Sequence, residues 1–266
     1  MNRLRQYTRL ARVLGVVLMG LGMACLFGLL AHVRPSKTSA LRQLWTQYFL
    51  TRLSNALPFR ITVVGERPAT PMLWVSNHVS WTDIALLGQL TPLSFLSKAE
   101  VRAWPVAGWL AAKAGCLFIR RGAGESHHVR DQMRHHLQQQ LPLLMFPEGT
   151  TTDGRSVRTF HGRLLSAAIE SHVQIQPVAI RYLRNGETDR VAPFIGDDNL
   201  LSHLLRLFAH HQADVEIHLL EPIDCHQQSR TELAHRAQGV IKQALIGSAT
   251  ACTNESQGDD LSLQNA

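Results

Sequence analysis

The chain has 266 residues, 45% of them hydrophobic and 18% charged, which excludes a disordered or fibrous protein and suffices for one sizeable core with a small appendage. Lysine and arginine (27) exceed aspartate and glutamate (20), for a formal charge of +7 at pH 7. This balance favours an anionic partner, whether membrane lipid, phosphorylated substrate or nucleic acid, without choosing among them. The four cysteines are widely spaced and form no C-x-x-C pair, which argues against a structural zinc site or a disulfide framework and favours a reducing compartment.

An uncharged apolar run, residues 13–31, follows four arginines near the N-terminus: Arg3, Arg5, Arg9 and Arg12. As a helix, its roughly 19 residues are ~28 Å long, close to the hydrocarbon thickness of a bilayer. The run is long for the apolar part of a signal peptide, and no clear cleavage site precedes the next charges, so we expect a retained membrane helix. Basic residues on both flanks leave its orientation open, and both ends can face the cytoplasm.

A second helix is predicted directly afterwards, over residues 41–57. Leu44, Trp45 and Tyr48 fall near one face, as in an amphipathic helix that lies in the membrane interface. An ordinary helix that turns this face to the protein core explains the same pattern. Small residues recur every four positions in the first helix and would let the second approach closely: Gly20, Ala24 and Gly28. Residues 1–57 are therefore predicted to be membrane-anchoring helices.

Short β-rich runs alternate with helical segments from Pro58 to about Gly247. The predicted strands are 61–64, 72–75, 93–96, 116–119, 143–146, 175–180 and 215–220. The predicted helices are 83–89, 100–114, 126–139, 162–171 and 231–246. This alternation predicts an α/β fold over residues 58–247, with a mostly parallel sheet flanked by helices. The polar residues 248–266 are predicted to form a disordered tail.

The stretch Asn-His-Val-Ser-Trp-Thr-Asp, residues 77–83, lies between two apolar runs. If a strand ends near Ser76 and a helix begins near Ser80, His78 lies on the loop between them, with Asp83 held within reach in the first helical turn. That arrangement is typical of an oriented general base. Ser80-x-x-Asp83 is also a capping box, in which the carboxylate stabilises the helix start without any catalytic duty.

Two arginines, Arg120 and Arg121, follow a short predicted strand. Guanidinium groups present a planar fork that matches phosphate oxygens, so the pair suits an anionic head group. A basic pair at the end of a strand is also common on a solvated edge.

The run Phe-Pro-Glu-Gly-Thr, residues 146–150, follows another predicted strand. Gly149 frees the backbone to approach a ligand, and successive N–H groups here can form an anion-binding nest. A proline-glycine turn explains the composition as well, but not the carboxylate of Glu148 directly after four apolar residues. Further on, Pro177 lies in a predicted strand and favours an edge strand or a strand start.

In this order, behind an N-terminal membrane segment, the four stretches closely resemble the glycerophospholipid acyltransferase family of the lysophosphatidic acid acyltransferase type. The resemblance is strong over residues 72–182 and extends to the N-terminal region in kind only. It implies a glycerolipid-acyltransferase-like fold in which His78 is the general base towards the acceptor hydroxyl and Asp83 orients it. The substrate-binding residues that it implies are Arg120, Arg121, Glu148, Gly149 and Thr150 at the polar head, and Pro177 at the acyl or thioester pocket.

The sequence departs from the family pattern near the predicted acceptor site. Many members have arginine after the glutamate-glycine-threonine, whereas Thr151 and Thr152 follow here, and a downstream stretch that often contains lysine reads Thr-Phe-His-Gly-Arg over residues 159–163. Less fixed charge favours a different lyso-lipid, and the chain is similar to the bacterial branch that includes lyso-ornithine lipid acyltransferases. Three arginines would restore the charge: Arg155, Arg158 and Arg163. Lysophosphatidic acid (1-acyl-glycerol-3-phosphate) is therefore expected as the acceptor slightly ahead of lyso-ornithine lipid.

Acyl transfer from a thioester to an alcohol needs a base, an orienting carboxylate and donors for the tetrahedral oxyanion, but no metal and no cofactor. The expected partners are membrane lipid, a lyso-lipid acceptor and either acyl-CoA or acyl-carrier protein as co-substrate, with no nucleic acid. The expected location is the bacterial inner membrane, with the site facing the cytoplasm.

Two other kinds of function are disfavoured. A lipid esterase is disfavoured because the sequence contains no G-x-S-x-G motif. A non-enzymatic lipid-binding or nucleic-acid-binding protein explains the basic charge, but the arginines are dispersed and no nucleic-acid-binding module is recognisable. Three histidine pairs are expected at the surface rather than at a metal, because adjacent residues on a helix point apart: 127–128, 135–136 and 210–211.

Overall fold

The structure, a computed structural model, describes residues 2–33, 38–120 and 126–258. Two long helices precede an α/β domain. The helices are α1 (Asn2–Val33), α2 (Thr38–Ala56), α3 (Thr82–Gly88), α4 (Ala107–Lys113), α5 (Ser126–Gln138), α6 (Ser166–Ser171), α7 (Leu200–Ala209) and α8 (Arg230–Gly258). The strands are β1 (Phe59–Val64), β2 (Leu73–Ser76), β3 (Ser94–Lys98), β4 (Leu117–Ile119), β5 (Leu143–Met145), β6 (Ile175–Arg184), β7 (Glu187–Thr188) and β8 (Ala213–Leu219).

Within the described residues the strands form one sheet in the order β1-β8-β6-β2-β5-β3-β4, with β7 paired to β6. All pairs are parallel except β6 with β8 and β6 with β7. Every residue of β2 is buried because helices cover both faces: Trp74 packs into a core with α2, α3 and α7, whereas Leu73 and Val75 pack into a core with α5, α6 and α8. The predicted α/β fold with a mostly parallel sheet is confirmed.

The seven predicted strands are present with small shifts at their ends, but two elements were not predicted, β7 and α7. The helix predicted over residues 100–114 is interrupted. A 3₁₀ turn covers Ala99–Ala103, and α4 begins only at Ala107, because Pro105 cannot continue a helix and Val106 has a positive φ of 62°. Likewise, residues 162–171 divide into a 3₁₀ turn, Gly162–Leu165, and α6. The disordered tail was predicted from residue 248, whereas α8 continues to Gly258; residues 259–266 lie outside the described residues.

Pro177 corrects a prediction. It is buried and third in β6, an interior strand between β8 and β2, and not at an edge or a strand start. The regular ladder with β8 begins one residue later, at Val178 opposite Leu219, so the missing N–H breaks no ladder bond there. The side-chain amide of Gln176 donates instead to the Leu220 carbonyl oxygen beside it, at 2.6 Å.

The N-terminal end of α1 is fastened to α7. The Arg5 and Arg9 guanidinium groups donate to carbonyl oxygens of Ala209 (3.0 Å) and Phe208 (3.1 Å), in the last turn of α7. Cations are favoured at this negative end of a helix dipole. The four arginines that were expected to flank a membrane segment therefore include two that hold α1 on the α/β domain.

The rest of α1 also lies along the domain, against α2 and α4. Gly20 lets the Phe49 ring come so close that a Cβ at that position would lie 2.4 Å from it, and the rings of Phe27 and Trp45 meet edge to face at 5.4 Å. Residues Arg3–Leu30 are long and apolar enough to cross a membrane, and only 17% of their most apolar window is buried. Because α1 contacts α7 at one end and α4 towards the other, it runs along the domain surface instead of projecting from it.

Helix α2 combines the two predicted alternatives. Leu50 is buried in the core, whereas Leu44 and Tyr48 are about half exposed. Gln43, a polar residue of this helix, is buried as well, and its amide donates to the Ser94 hydroxyl at 2.9 Å.

His136, expected at the surface, is partly buried and contacts one of the same polar residues. Its Nε2 atom lies 2.8 Å from the Ser94 hydroxyl, which already accepts from Gln43, so the hydroxyl proton is available to a neutral imidazole. Burial, and then the nearby Arg42 guanidinium and His135, lower the pKa of His136 to about 4.

We therefore expect stability to fall on mild acidification. The folded His136 has a pKa of about 4 against an ordinary 6.5, so between these values the unfolded chain binds more protons and protonation favours unfolding. The contribution of neutral His136 to the free energy of unfolding is intact above pH 6.5 and is lost as the pH falls towards 4. Thermal unfolding of a His136→Gln variant from pH 7.5 to 4.5 should show a shallower loss of stability than the unmodified protein. The neighbouring His135→Gln variant is the control, and equal slopes for the unmodified protein and His136→Gln would contradict this role.

Candidate active site

The functional loops meet at the carboxyl ends of neighbouring parallel strands. β2 ends at Ser76 and leads to His78, and its neighbour β5 ends at Met145 and leads to Glu148. Carboxyl ends of parallel strands lie on the same edge of a sheet, which is where α/β proteins bind their ligands. The 77–83 and 146–152 stretches, far apart in sequence, are adjacent for this reason.

His78 and Asp83 form a hydrogen-bonded dyad. The His78 Nδ1 atom lies 2.7 Å from Asp83 Oδ2. Asp83 is completely buried, whereas the His78 side chain is 17% exposed. A proton on Nδ1, directed to the carboxylate, leaves Nε2 as the basic nitrogen. The predicted contact between these two residues is present.

The carboxylate of Asp83 has further donors. Its Oδ2 atom also accepts the backbone N–H groups of Val79 (2.8 Å) and Ser80 (3.0 Å), and its Oδ1 atom accepts the hydroxyl of Tyr182. The bond from the Ser80 N–H is half of the predicted capping box, so capping and orientation of the histidine use the same carboxylate. Burial, and then the Asp83 carboxylate, raise the pKa of Tyr182 well above its ordinary value, which keeps this hydroxyl a donor.

Other contacts fix the loop that carries His78. The Asn77 side chain makes two hydrogen bonds of 2.9 Å with the backbone of Ile180 in β6. The His78 carbonyl accepts from the Thr152 N–H at 2.8 Å and from the Thr152 hydroxyl at 3.1 Å. Thr152, which follows the Glu-Gly-Thr run where many family members have a cation, therefore holds the His78 loop in place.

The imidazole plane is set by Phe146. The two rings stack with centroids 3.8 Å apart and an interplanar angle of 10°. The Phe146 ring covers one face of the imidazole, and the hydrogen bond to Asp83 engages Nδ1. These two contacts fix the direction of Nε2. His78 also lines a large cavity.

Glu148 stands behind this arrangement. One carboxylate oxygen accepts the His78 N–H at 2.7 Å, and the other accepts the Arg158 N–H at 2.8 Å. The residue is 4% exposed, and burial raises the pKa of its carboxyl group, opposed by these two hydrogen bonds. With both oxygens engaged by backbone groups, Glu148 joins two loops and positions His78.

The cavity has a volume of about 1320 Å³. Side chains of α1 and α2, among them Phe27 and Phe49, form part of an extensive apolar wall. Cations also line it, six of them within the described residues: Arg42, Lys98, Lys113, Arg120, Arg163 and Arg230. Among the residues that the structure describes, Glu100 is the only acidic side chain in the lining. An apolar chain and an anionic group can thus bind in the same space as His78.

The predicted site residues fall into three groups. Arg120, Gly149 and Thr150 line the cavity with His78. Asp83, Glu148 and Pro177 lie behind its wall, the first two in contact with His78 and the third inside β6. Arg121 lies outside the described residues.

Three residues of this region were not predicted: Phe146, Tyr182 and His203. Phe146 and Tyr182 contact the dyad, and His203 of α7 accepts the indole N–H of Trp81 at 3.0 Å. Burial lowers the pKa of His203, which favours the neutral ring that can accept this bond. Phe146 was visible as the start of the Phe-Pro-Glu-Gly run, but Tyr182 and His203 have no local sequence signal because their partners are 99 and 122 residues away.

Comparisons with known proteins agree with this geometry. A family model described as Acyltransferase matches residues 60–181. A lyso-ornithine lipid O-acyltransferase from Pseudomonas aeruginosa is 55% identical over 249 residues, which cover 94% of this chain and 96% of that protein. A protein of the same name from Brucella abortus is 33% identical and covers 75% of this chain and 82% of its own length.

A solved structure shares the fold. The 1-acyl-sn-glycerophosphate acyltransferase PlsC from Thermotoga maritima superimposes with a TM-score of 0.62 at 21% sequence identity, covering 90% of this chain and 97% of that one. The resemblance predicted from the four motifs, and the enzymatic activity that it implied, are confirmed. The chain belongs to the acyltransferase family.

Proposed function

We propose that this enzyme transfers a fatty acyl group from a thioester, acyl-CoA or acyl-carrier protein, to the free hydroxyl of lyso-ornithine lipid. One observation carries the reaction class: the His78 and Asp83 dyad presents its imidazole to a cavity with an extensive apolar wall and cations in its lining. Such a cavity suits an acyl chain together with an anionic head group.

The chemistry follows from the free nitrogen of His78. Nε2 takes the proton of the acceptor hydroxyl while the hydroxyl oxygen attacks the thioester carbonyl. The tetrahedral intermediate then expels the thiolate, which receives the proton from Nε2. Asp83 holds the proton on Nδ1 and stabilises the imidazolium that forms in between.

The oxyanion of that intermediate needs donors. The backbone N–H groups of Thr150 and Thr151 make no hydrogen bond within the described residues, and both threonines line the cavity. Their loop is tied to the His78 carbonyl through Thr152 and turns at Gly149, which has a φ of 66°. We assign the oxyanion to these two N–H groups.

The choice of acceptor reverses the order expected from the motifs. The Pseudomonas relative, similar over nearly its whole length, is named for lyso-ornithine lipid. Ornithine carries a carboxylate and an ammonium group, so the cations of the cavity and the single acid, Glu100, complement it. Lysophosphatidic acid is the second candidate, because the six lining cations would also suit a phosphate.

We place the enzyme on the membrane through the hairpin of α1 and α2. The exposed apolar surface of α1 supports contact with the bilayer, while its bonds to α7 at one end and its packing on α4 towards the other keep it on the α/β domain. A hairpin that lies within one leaflet satisfies both observations, and it brings a lipid acceptor to the cavity from the bilayer. In a bacterial cell, the cytoplasmic face of the inner membrane is where acyl-CoA and acyl-carrier protein are available.

If the dyad is catalytic, the negative charge of Asp83 matters more for turnover than its capping of α3 matters for stability. In Asp83→Asn the amide oxygen can still accept the His78, Val79 and Ser80 donors, but the negative charge that stabilises the imidazolium is lost. We expect turnover to fall about 100-fold or more with little change in the melting temperature. His78→Ala should be at least as inactive, and Asp131→Asn, an exposed carboxylate on α5, serves as the control. A loss of stability large enough to account for the lost activity would leave Asp83 with a capping role only.

Because Glu148 positions His78, replacing it should lower turnover independently of the acceptor head group. A Glu148→Gln side chain has one oxygen for two backbone donors, so either the His78 or the Arg158 N–H loses its partner, at a cost of about 1–3 kcal/mol. We expect kcat to fall by a similar factor for acceptors with different head groups, while KM changes little. If KM rises for one acceptor and not for another, Glu148 contacts the head group directly.

The acceptor itself is tested with purified enzyme in detergent micelles, a labelled acyl donor, and lyso-ornithine lipid or lysophosphatidic acid. We expect the higher kcat/KM with lyso-ornithine lipid. Glu100→Gln should reduce it several-fold for this acceptor and should not reduce it for lysophosphatidic acid, which has no ammonium group. Preference for lysophosphatidic acid in the unmodified enzyme would refute the assignment of the acceptor but not of the reaction.

A further inference from the structure

The exposed apolar side chains of the catalytic domain are concentrated at two places. Val106, directly before α4, and Trp109 of α4 are 45% and 39% exposed. Ile195, and Leu201 and Leu205 of α7, are 44%, 63% and 40% exposed. Outside α1, α2 and these two places, the exposed large apolar side chains among the described residues are Val63 and Val64 of β1 and Ile246 of α8.

Both places adjoin α1. α7 receives hydrogen bonds from Arg5 and Arg9 at the N-terminal end of α1. α4 packs against the other part of α1, where the Lys113 amino group approaches Gly28. The two short helices therefore flank the apolar helix that we place in the bilayer.

The same two helices also border the cavity. Leu200 and Leu204 of α7 and Leu110 of α4 line it, whereas Leu201 and Leu205 lie on the outer side of α7. Positions one residue apart differ by about 100° around a helix, so α7 is apolar towards the cavity and towards the outside. Neither helix contains an acidic residue.

Their composition suits a lipid surface. The Lys113 ammonium lies 5.6 Å from the centre of the Trp109 ring, and tryptophan with lysine is typical of the membrane–water interface. The Arg206 charge on α7 is paired with Asp198 in two hydrogen bonds of 2.7 and 2.8 Å. Apart from this ion pair, the exposed side of α7 near α1 is mainly apolar.

We propose that Val106, Trp109, Ile195, Leu201 and Leu205 form a second membrane-contact surface, which inserts into the same leaflet as α1 and α2 and opens the cavity directly to lipid. A bilayer is favoured over a protein partner because the surface continues the exposed apolar side of α1 at both of its ends. It explains why a catalytic domain leaves leucines exposed beside its own substrate cavity.

Fluorescence quenching tests the insertion without reference to activity. The full chain carrying Leu201→Trp is reconstituted into phosphatidylethanolamine and phosphatidylglycerol vesicles with brominated acyl chains, and its emission is compared with that of the unmodified protein. We expect the additional emission to be largely quenched. Val63→Trp, at an exposed apolar position of β1, is the matched control and should stay unquenched. Equal, low quenching of both added tryptophans would overturn the proposal.

Turnover provides the second measurement, and it rests on the proposed function. Leu201→Gln with Leu205→Gln keeps good helix formers but removes the apolar contact. We expect turnover to drop about fivefold or more with acceptor in vesicles and to be unchanged in detergent micelles, where the acceptor does not have to leave a bilayer. Val63→Thr with Val64→Thr should affect neither. An equal loss in vesicles and micelles would contradict the surface, whereas an unmodified enzyme that is inactive on every lyso-lipid would refute the proposed function and leave the quenching result intact.

Discussion

The site depends on one buried carboxylate. Asp83 is fully enclosed and accepts four donors: the His78 ring, the N–H groups of Val79 and Ser80, and the Tyr182 hydroxyl. A buried carboxylate without such partners would be strongly destabilising. Those bonds link the loop after β2, the start of α3 and the C-terminal part of β6. The requirement to satisfy one charge thus fixes both the local fold and the direction of the His78 imidazole.

The other contacts of His78 also fix its position. Glu148 and Thr152 hold the backbone of His78 from the neighbouring loop, and Phe146 holds its ring. None of these three contacts requires a substrate, so the His78 imidazole is positioned before any substrate binds. Preorganisation of this kind is how an enzyme avoids reorganising its site during the reaction. The cavity beside it has an extensive apolar wall, part of which is formed by α1 and α2.

The sequence predicted what depends on neighbouring residues or on periodicity. His78 and Asp83 are five positions apart, so a strand-loop-helix pattern was enough to bring them together, and alternating elements predicted the parallel sheet. It did not predict Tyr182, whose contact depends on the pairing of β2 with β6, or the direction of the Glu148 carboxylate, which depends on the pairing of β2 with β5. Pro177 was misplaced because the irregular backbone opposite it is visible only in three dimensions. α7 had a readable signal, since Asn199 caps it and leucines recur at helical spacing, and it was nevertheless not predicted.

We propose that His78 offers a basic Nε2 because Asp83 holds the proton on Nδ1. Nitrogen-15 NMR of labelled histidine, with His78→Ala used to assign the signal, reports which ring nitrogen carries the proton at a pH where the ring is neutral. The dyad predicts a protonated Nδ1 and an unprotonated Nε2 for His78, and a loss of this preference in an Asp83→Ala variant. A neutral His78 that carries its proton on Nε2 would contradict the general-base role, because that nitrogen could not accept a proton from the acceptor hydroxyl.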